Sequence, residues 1–118
     1  MIERSTNLGT VNISLDAVAT VTGGAATECY GVVGMASQKK LKDGFYELLR
    51  KDNYARGIKV KDGDTGVILD LYVILGYGIK ITEVLYEVQN KVKYVIESTL
   101  DLSVEAVNIY VQGVRGVA

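Results

Sequence analysis

Histidine is absent from this chain, and so are proline and tryptophan. Histidine is the one side chain that titrates near neutrality without help. Its absence removes Ser-His and Cys-His nucleophile pairs and most zinc sites. Carboxylate or lysine catalysis would need burial or charged neighbours to move a pKa. Cysteine is nearly missing too. Cys29 stands alone, so no internal disulfide can form, which fits a reducing compartment. With no histidine to activate it, Cys29 reads as a buried helix residue rather than a nucleophile.

Other absences narrow the field further. Thirteen Lys and Arg against fourteen Asp and Glu leave a net charge of −1. The chain therefore lacks the positive excess that draws proteins to nucleic acid or acidic lipid. The longest apolar run, Val67 to Leu75, is interrupted by Asp70, whereas a spanning helix needs about twenty residues. Residues 1–7 carry no apolar signal core. The expectation is a cytoplasmic protein. Neither GxGxxG nor GxxxxGK occurs, so no phosphate-cradling loop is indicated.

What is present suits one domain: 118 residues, 48% of them apolar. Residues 1–8 read as a flexible arm, and 9–115 as a single domain. Gly9 to Ser14 alternates as a strand. Ser14 can cap a helix running from Leu15 to about Cys29. Gly23-Gly24-Ala25-Ala26 within it allows close backbone approach, read as packing against the sheet or a second helix. Gly31 ends the helix in a left-handed conformation, and Val32–Ala36 is a short strand.

In residues 38–53, Leu41, Phe45, Leu48 and Leu49 fall at helical spacing. The expectation is an amphipathic helix folded back on the domain. Lys39, Lys40 and Lys42 read as a solvated face, too few for a lipid patch. Strands follow at Gly57–Lys61 and Val67–Leu75, joined by Asp62-Gly63-Asp64-Thr65-Gly66. Asp62 and Asp64 could offer oxygens to a cation, yet the loop lacks the other ligands of a calcium site and reads as a plain hairpin. The best helix spans Ile81 to about Leu100, with Glu87 and Lys91 as a favourable pair. Val104–Val111 is the last strand.

The fold expected is α+β in two layers. One mixed sheet of about five strands has two main helices on one face, in the order β-α-β-(α)-β-β-α-β. The opposite face would carry Asn12, Lys59, Lys61, Asp70, Tyr72, Asn108, Tyr110 and Gln112. Aromatic residues are enriched at interface anchors, so the candidate partner surface is Tyr72, Tyr110, Asn108 and Gln112, with Phe45 and Leu48. Tyr72 and Tyr110 read equally well as a cross-strand pair that stabilises the sheet. No catalytic, cofactor-binding or metal-binding residues are indicated.

Seven collinear segments carry a family resemblance. They are Gly9-x-Val11-x-Ile13-Ser14, Glu28-Cys29-Tyr30-Gly31-Val32-Val33-Gly34-Met35-Ala36, Gly57-Ile58-Lys59-Val60, Asp70-Leu71-Tyr72-Val73-Ile74, Tyr77-Gly78, Val88-Gln89-x-x-Val92-Lys93 and Val107-Asn108-Ile109-Tyr110-Val111-Gln112-Gly113. Their order resembles the alkaline shock protein / general stress protein (Gls) family of Gram-positive bacteria, over about residues 8–115, and looks like its small stand-alone branch. The resemblance implies a cytoplasmic protein linked to envelope stress or homeostasis, without established catalysis. It implies, for some members, membrane association through an anchored relative or homo-oligomeric assembly, and a fatty-acid-kinase context for the small branch.

Three readings follow. The first is a non-enzymatic scaffold whose partner is a further copy or an envelope or lipid-metabolism protein. The second is a nucleic-acid binder that uses lysines and tyrosines on an open sheet, which the net charge disfavours. The third is an enzyme or small-ligand carrier.

Overall fold

A computed structural model describes residues 2–40, 46–49 and 51–115. Strand β1 (Ile2–Thr6) pairs antiparallel with β2 (Gly9–Ile13) as a separate two-stranded ladder. Helix α1 (Leu15–Thr27) follows, then β3 (Val32–Lys40), β4 (Tyr46–Leu48), a 3₁₀ helix at Lys51–Gly57, β5 (Ile58–Asp62), β6 (Val67–Gly76), α2 (Ile81–Thr99) and β7 (Val104–Arg115). β3 to β7 form one five-stranded sheet, so the α+β class expected from the residues holds.

β6 organises the sheet. Along one edge it runs parallel to β7 for its whole length. Along the other it is shared: β5 covers residues 67–71 and β3 covers 73–75, both antiparallel. The parallel neighbour requires a crossover, and α2 supplies it. Leu69, Leu71, Val73 and Leu75 are completely buried toward the helices. Period two explains why these alternate residues share one side.

Each helix is tied down by its sequence. Ser14 Oγ accepts from the Ala17 amide at 3.0 Å, the expected cap. α1 then buries Val18, Ala19, Thr22, Gly23, Ala25 and Ala26. α2 buries Val84, Val88, Val92 and Ile96, one residue per turn, and each such side chain contributes roughly 1.5–3 kcal/mol. Gln89 Nε2 donates to the Val107 carbonyl at 2.9 Å, and Glu97 Oε2 accepts from the Val104 amide at 3.2 Å. Both bonds fasten α2 to β7.

The structure corrects several expectations. Residues 1–8, expected as an arm, contain β1. Its partner β2 lies outside the main sheet and is almost wholly exposed, so Asn12 does not belong to the sheet's open face. The amphipathic helix expected in 38–53 is replaced by the extension of β3 to Lys40, by β4 and by the 3₁₀ helix. Adjacent leucines show why: Leu49 is buried while Leu48 is 43% exposed, an alternation of period two. Leu41, Lys42 and Phe45 lie outside the described residues. The small run in α1 meets neither sheet nor α2 at its tightest point. A Cβ on Gly23 would stand 2.7 Å from Tyr54 Cβ, on the 3₁₀ helix. Lys91 pairs with Glu28 at 3.6 Å, across to the end of α1, rather than with Glu87. Gly31 does adopt a left-handed φ of 91°.

Candidate interaction surface

The helices cover one side of the sheet, and the other side gathers the polar and aromatic residues of β5, β6 and β7. In the parallel register Asp70 stands opposite Asn108, and Tyr72 opposite Tyr110. The tyrosine rings stack with centroids 4.9 Å apart and planes at 15°. That distance matches the spacing between neighbouring strands, about 4.8 Å. The rings therefore stand up from the sheet side by side, with their edges outward. Tyr72 is half-buried, and Tyr110 is 46% exposed.

Beside this pair sits a buried carboxylate. Asp70 is 3% exposed. It accepts from Asn108 Nδ2 at 3.0 Å and holds Lys61 Nζ at 3.1 Å. Burial alone would raise its pKa, but the bonds from Asn108 and Lys61, aided by the charges of Lys61 and Lys59, more than offset it. The carboxyl lies below its ordinary range. This network locks three strands together in front of Tyr72.

The apolar part of the face lies further along β6. Ile74 is 5% exposed and stands opposite Gly34 of β3. Leu48 reaches over that glycine: a Cβ there would meet Leu48 Cδ1 at 2.9 Å. Gln112 sits where the β6–β7 register shifts, between the Val73–Val111 and Ile74–Gly113 pairs. Of the six candidate residues, Tyr72, Tyr110, Asn108 and Gln112 thus share the open face, Leu48 lies over its β3 side, and Phe45 lies outside the described residues. The Asp70–Lys61–Asn108 network is a finding of the tertiary structure. Its only sequence signal was an aspartate inside an apolar strand.

Glu105 and Cys29, away from this face, have structural partners. Glu105 closes the β5–β6 loop: its carboxylate accepts from the Thr65 amide and the Thr65 hydroxyl, each at 2.9 Å. Those bonds, Thr65 first and the Asp64 amide with them, hold its pKa below the usual value. The loop's amides thus face a carboxylate. Among the described residues no group of three or more His, Cys, Asp or Glu is placed to hold a metal ion. Cys29 is half-buried just past α1, its thiol 3.7 Å from the Ala25 carbonyl. Burial pushes that thiol up. A shallow groove of about 210 Å³ lies between Tyr30, Ile79, Lys80, Glu83, Val84 and Glu87. Among the described residues no helix is long and apolar enough to cross a membrane.

Fold and site together define a small two-layer α+β protein with one helix-covered and one open sheet face. The chain belongs to the alkaline shock protein 23 family, described as of cell envelope-related function, whose model matches residues 3–116. It is 51% identical over 114 residues to the uncharacterised protein YloU of Bacillus subtilis, covering 97% of this chain and 95% of that one. It is 47% identical to the uncharacterised protein Spy1614 of Streptococcus pyogenes, over 97% and 94% of the two chains. It is 30% identical to the uncharacterised protein YqhY of Bacillus subtilis, over 98% and 84%. No solved structure matches it.

Proposed function

We propose that this chain is a non-enzymatic interaction protein of the cell envelope. In this reading it works in the cytoplasm and meets the membrane through a protein that docks on the open sheet face. The observation that supports it most is the Tyr72–Tyr110 stack, half exposed and next to the Asp70–Asn108 pair. A rigid aromatic pair beside a satisfied polar network suits a protein partner, because the ring edges offer contact area with little entropy left to lose.

The net charge of −1 disfavours nucleic acid, which is held largely through its phosphates. The resemblance to the small branch of the family points the partner toward lipid metabolism, in the setting of a fatty acid kinase.

The test is affinity capture from the native host, from cytosol and from solubilised membranes. The wild-type chain and a Tyr86→Ser/Tyr94→Ser control should retain the same partner. A Tyr72→Ser/Tyr110→Ser variant should lose it while keeping the wild-type circular dichroism spectrum. Retention of the partner by that folded variant would sink the reading.

A further inference from the structure

We propose that β7 pairs antiparallel with β7 of a second copy, on a two-fold axis passing through Tyr110. β6 is the one strand that pairs with β7 among the described residues, so the other edge of β7 carries no strand. The direction of its backbone groups is marked by Gln89, which donates to the Val107 carbonyl from α2 at 2.9 Å. That carbonyl points away from β6. Alternate residues of a strand point the same way, so Ile109 and Val111 turn their N–H and C=O groups outward. Asn108 and Tyr110 turn theirs toward β6.

Residues 108–112 read Asn-Ile-Tyr-Val-Gln, a run whose chemistry is the same in both directions. Antiparallel pairing centred on Tyr110 sets amide against amide at Asn108 and Gln112. It sets β-branched against β-branched at Ile109 and Val111, and tyrosine against tyrosine at the axis. Ile109 and Val111 are also the residues whose backbone groups face outward, so each pair can exchange both hydrogen bonds. Tyr110 then meets its copy as a pair of the narrow type, with Cα atoms about 4.5 Å apart. The 4.9 Å stack of Tyr72 on Tyr110 continues across the axis as one ladder of rings.

Two further observations agree. Natural edge strands are guarded by charge or proline. β5 carries Lys59 and Lys61, but residues 108–112 carry neither guard. The ends of the pairing segment are also marked: Gln89 occupies the Val107 carbonyl, and the register of β7 shifts at Gln112–Gly113. The inference does not depend on the identity of any envelope partner. Pairing would double the open face by joining two sheets.

Sedimentation velocity on the purified full-length chain tests it, from micromolar to submillimolar concentration. The expected mass is twice the 12.8 kDa of one chain. Tyr110→Lys and Tyr110→Glu, which oppose like charges at the axis, should each sediment as single chains. Their equimolar mixture should recover the dimer. Tyr110→Cys in a Cys29→Ser background should oxidise to a disulfide-linked dimer, since the pair's Cα separation falls within the disulfide range of about 4.4–6.8 Å. A wild-type chain that stays single throughout would overturn the proposal. So would a dimer that survives in both charged variants, or a cysteine variant that does not cross-link. Because only purified chain is used, none of these results bears on partner capture.

Discussion

Lys61 Nζ lies 3.1 Å from Asp70 Oδ2, with the lysine side chain 48% exposed and the aspartate 5%. Water reaches the cation but hardly the anion, so the carboxylate depends on its protein donors. A buried anion stripped of a donor is costly.

The Asp70 network therefore predicts a pH dependence. The carboxyl titrates below its ordinary value of 3.8 in the fold. The folded state then binds fewer protons than the unfolded chain near that pH. The stabilisation is present above the unfolded pKa and is lost as pH falls through the lower, folded one. Asn108→Ala should cost about 1.5–3 kcal/mol at neutral pH, the range for a hydrogen bond to a charged group. Urea unfolding at pH 7 and at about pH 3 checks both points: the gap between wild type and Asn108→Ala should narrow in acid. An equal gap at both values would contradict the assignment.

Gly23 and Gly24 are neighbours in one helix, yet their substitutions should act with opposite sign. Alanine at either position gains up to about 1 kcal/mol of helix propensity. At Gly24 a Cβ meets nothing within 4 Å, and the gain should be kept. At Gly23 it would stand 2.7 Å from Tyr54 Cβ and 2.9 Å from Tyr54 Cδ2. Overpacking of that kind costs about 1–3 kcal/mol, which outweighs the propensity. Thermal midpoints should rise for Gly24→Ala and fall for Gly23→Ala. Combining Gly23→Ala with Tyr54→Gly, which removes that Cβ as well as the ring, should cost less than the two single losses added together.

Glu105 holds a loop that it does not belong to. Removing its carboxylate leaves the Asp64 and Thr65 amides without their acceptor. In a Glu105→Ala chain these two amides should exchange with deuterium markedly faster, while those of Leu69 and Leu71 in β6 stay protected. Unchanged exchange at Thr65 would show that water satisfies the loop equally well.

Cys29 should alkylate slowly. The thiolate is the reactive form, and burial raises this thiol above its ordinary value of 9.0 despite Lys91 nearby. Iodoacetamide at pH 7 should modify the folded chain more slowly than the urea-unfolded chain. The rate should climb with pH beyond the point where a free cysteine levels off. A folded chain reacting faster than the unfolded one would reverse this assignment.

The open face is partly legible in the sequence. Asp70, Tyr72, Asn108 and Tyr110 share a parity within strands of clear pattern, and parity decides which side of a sheet a residue takes. Their pairing across strands was not legible. It depends on β6 and β7 lying side by side in one register, and that follows from how α2 packs. Leu48 and Leu49 show the limit of periodicity. Leu41, Phe45, Leu48 and Leu49 fit a helical stripe, but 3.6 and 2.0 are hard to tell apart over a few residues. The tertiary contact decided: Leu49 entered the core beside the backbone of Met35, and Leu48 lay over Gly34.

By itself the sequence determined the class of fold, both long helices, the central strand and the absence of histidine-based chemistry. These rest on local pattern and composition, which neighbours distant along the chain cannot change. Tertiary structure alone decided that β1 and β2 stand apart from the main sheet. It also decided that Gly23 makes room for Tyr54, and that a lysine and an asparagine from different strands converge on one buried aspartate. Each of these depends on which surfaces meet, and a linear pattern carries no record of that.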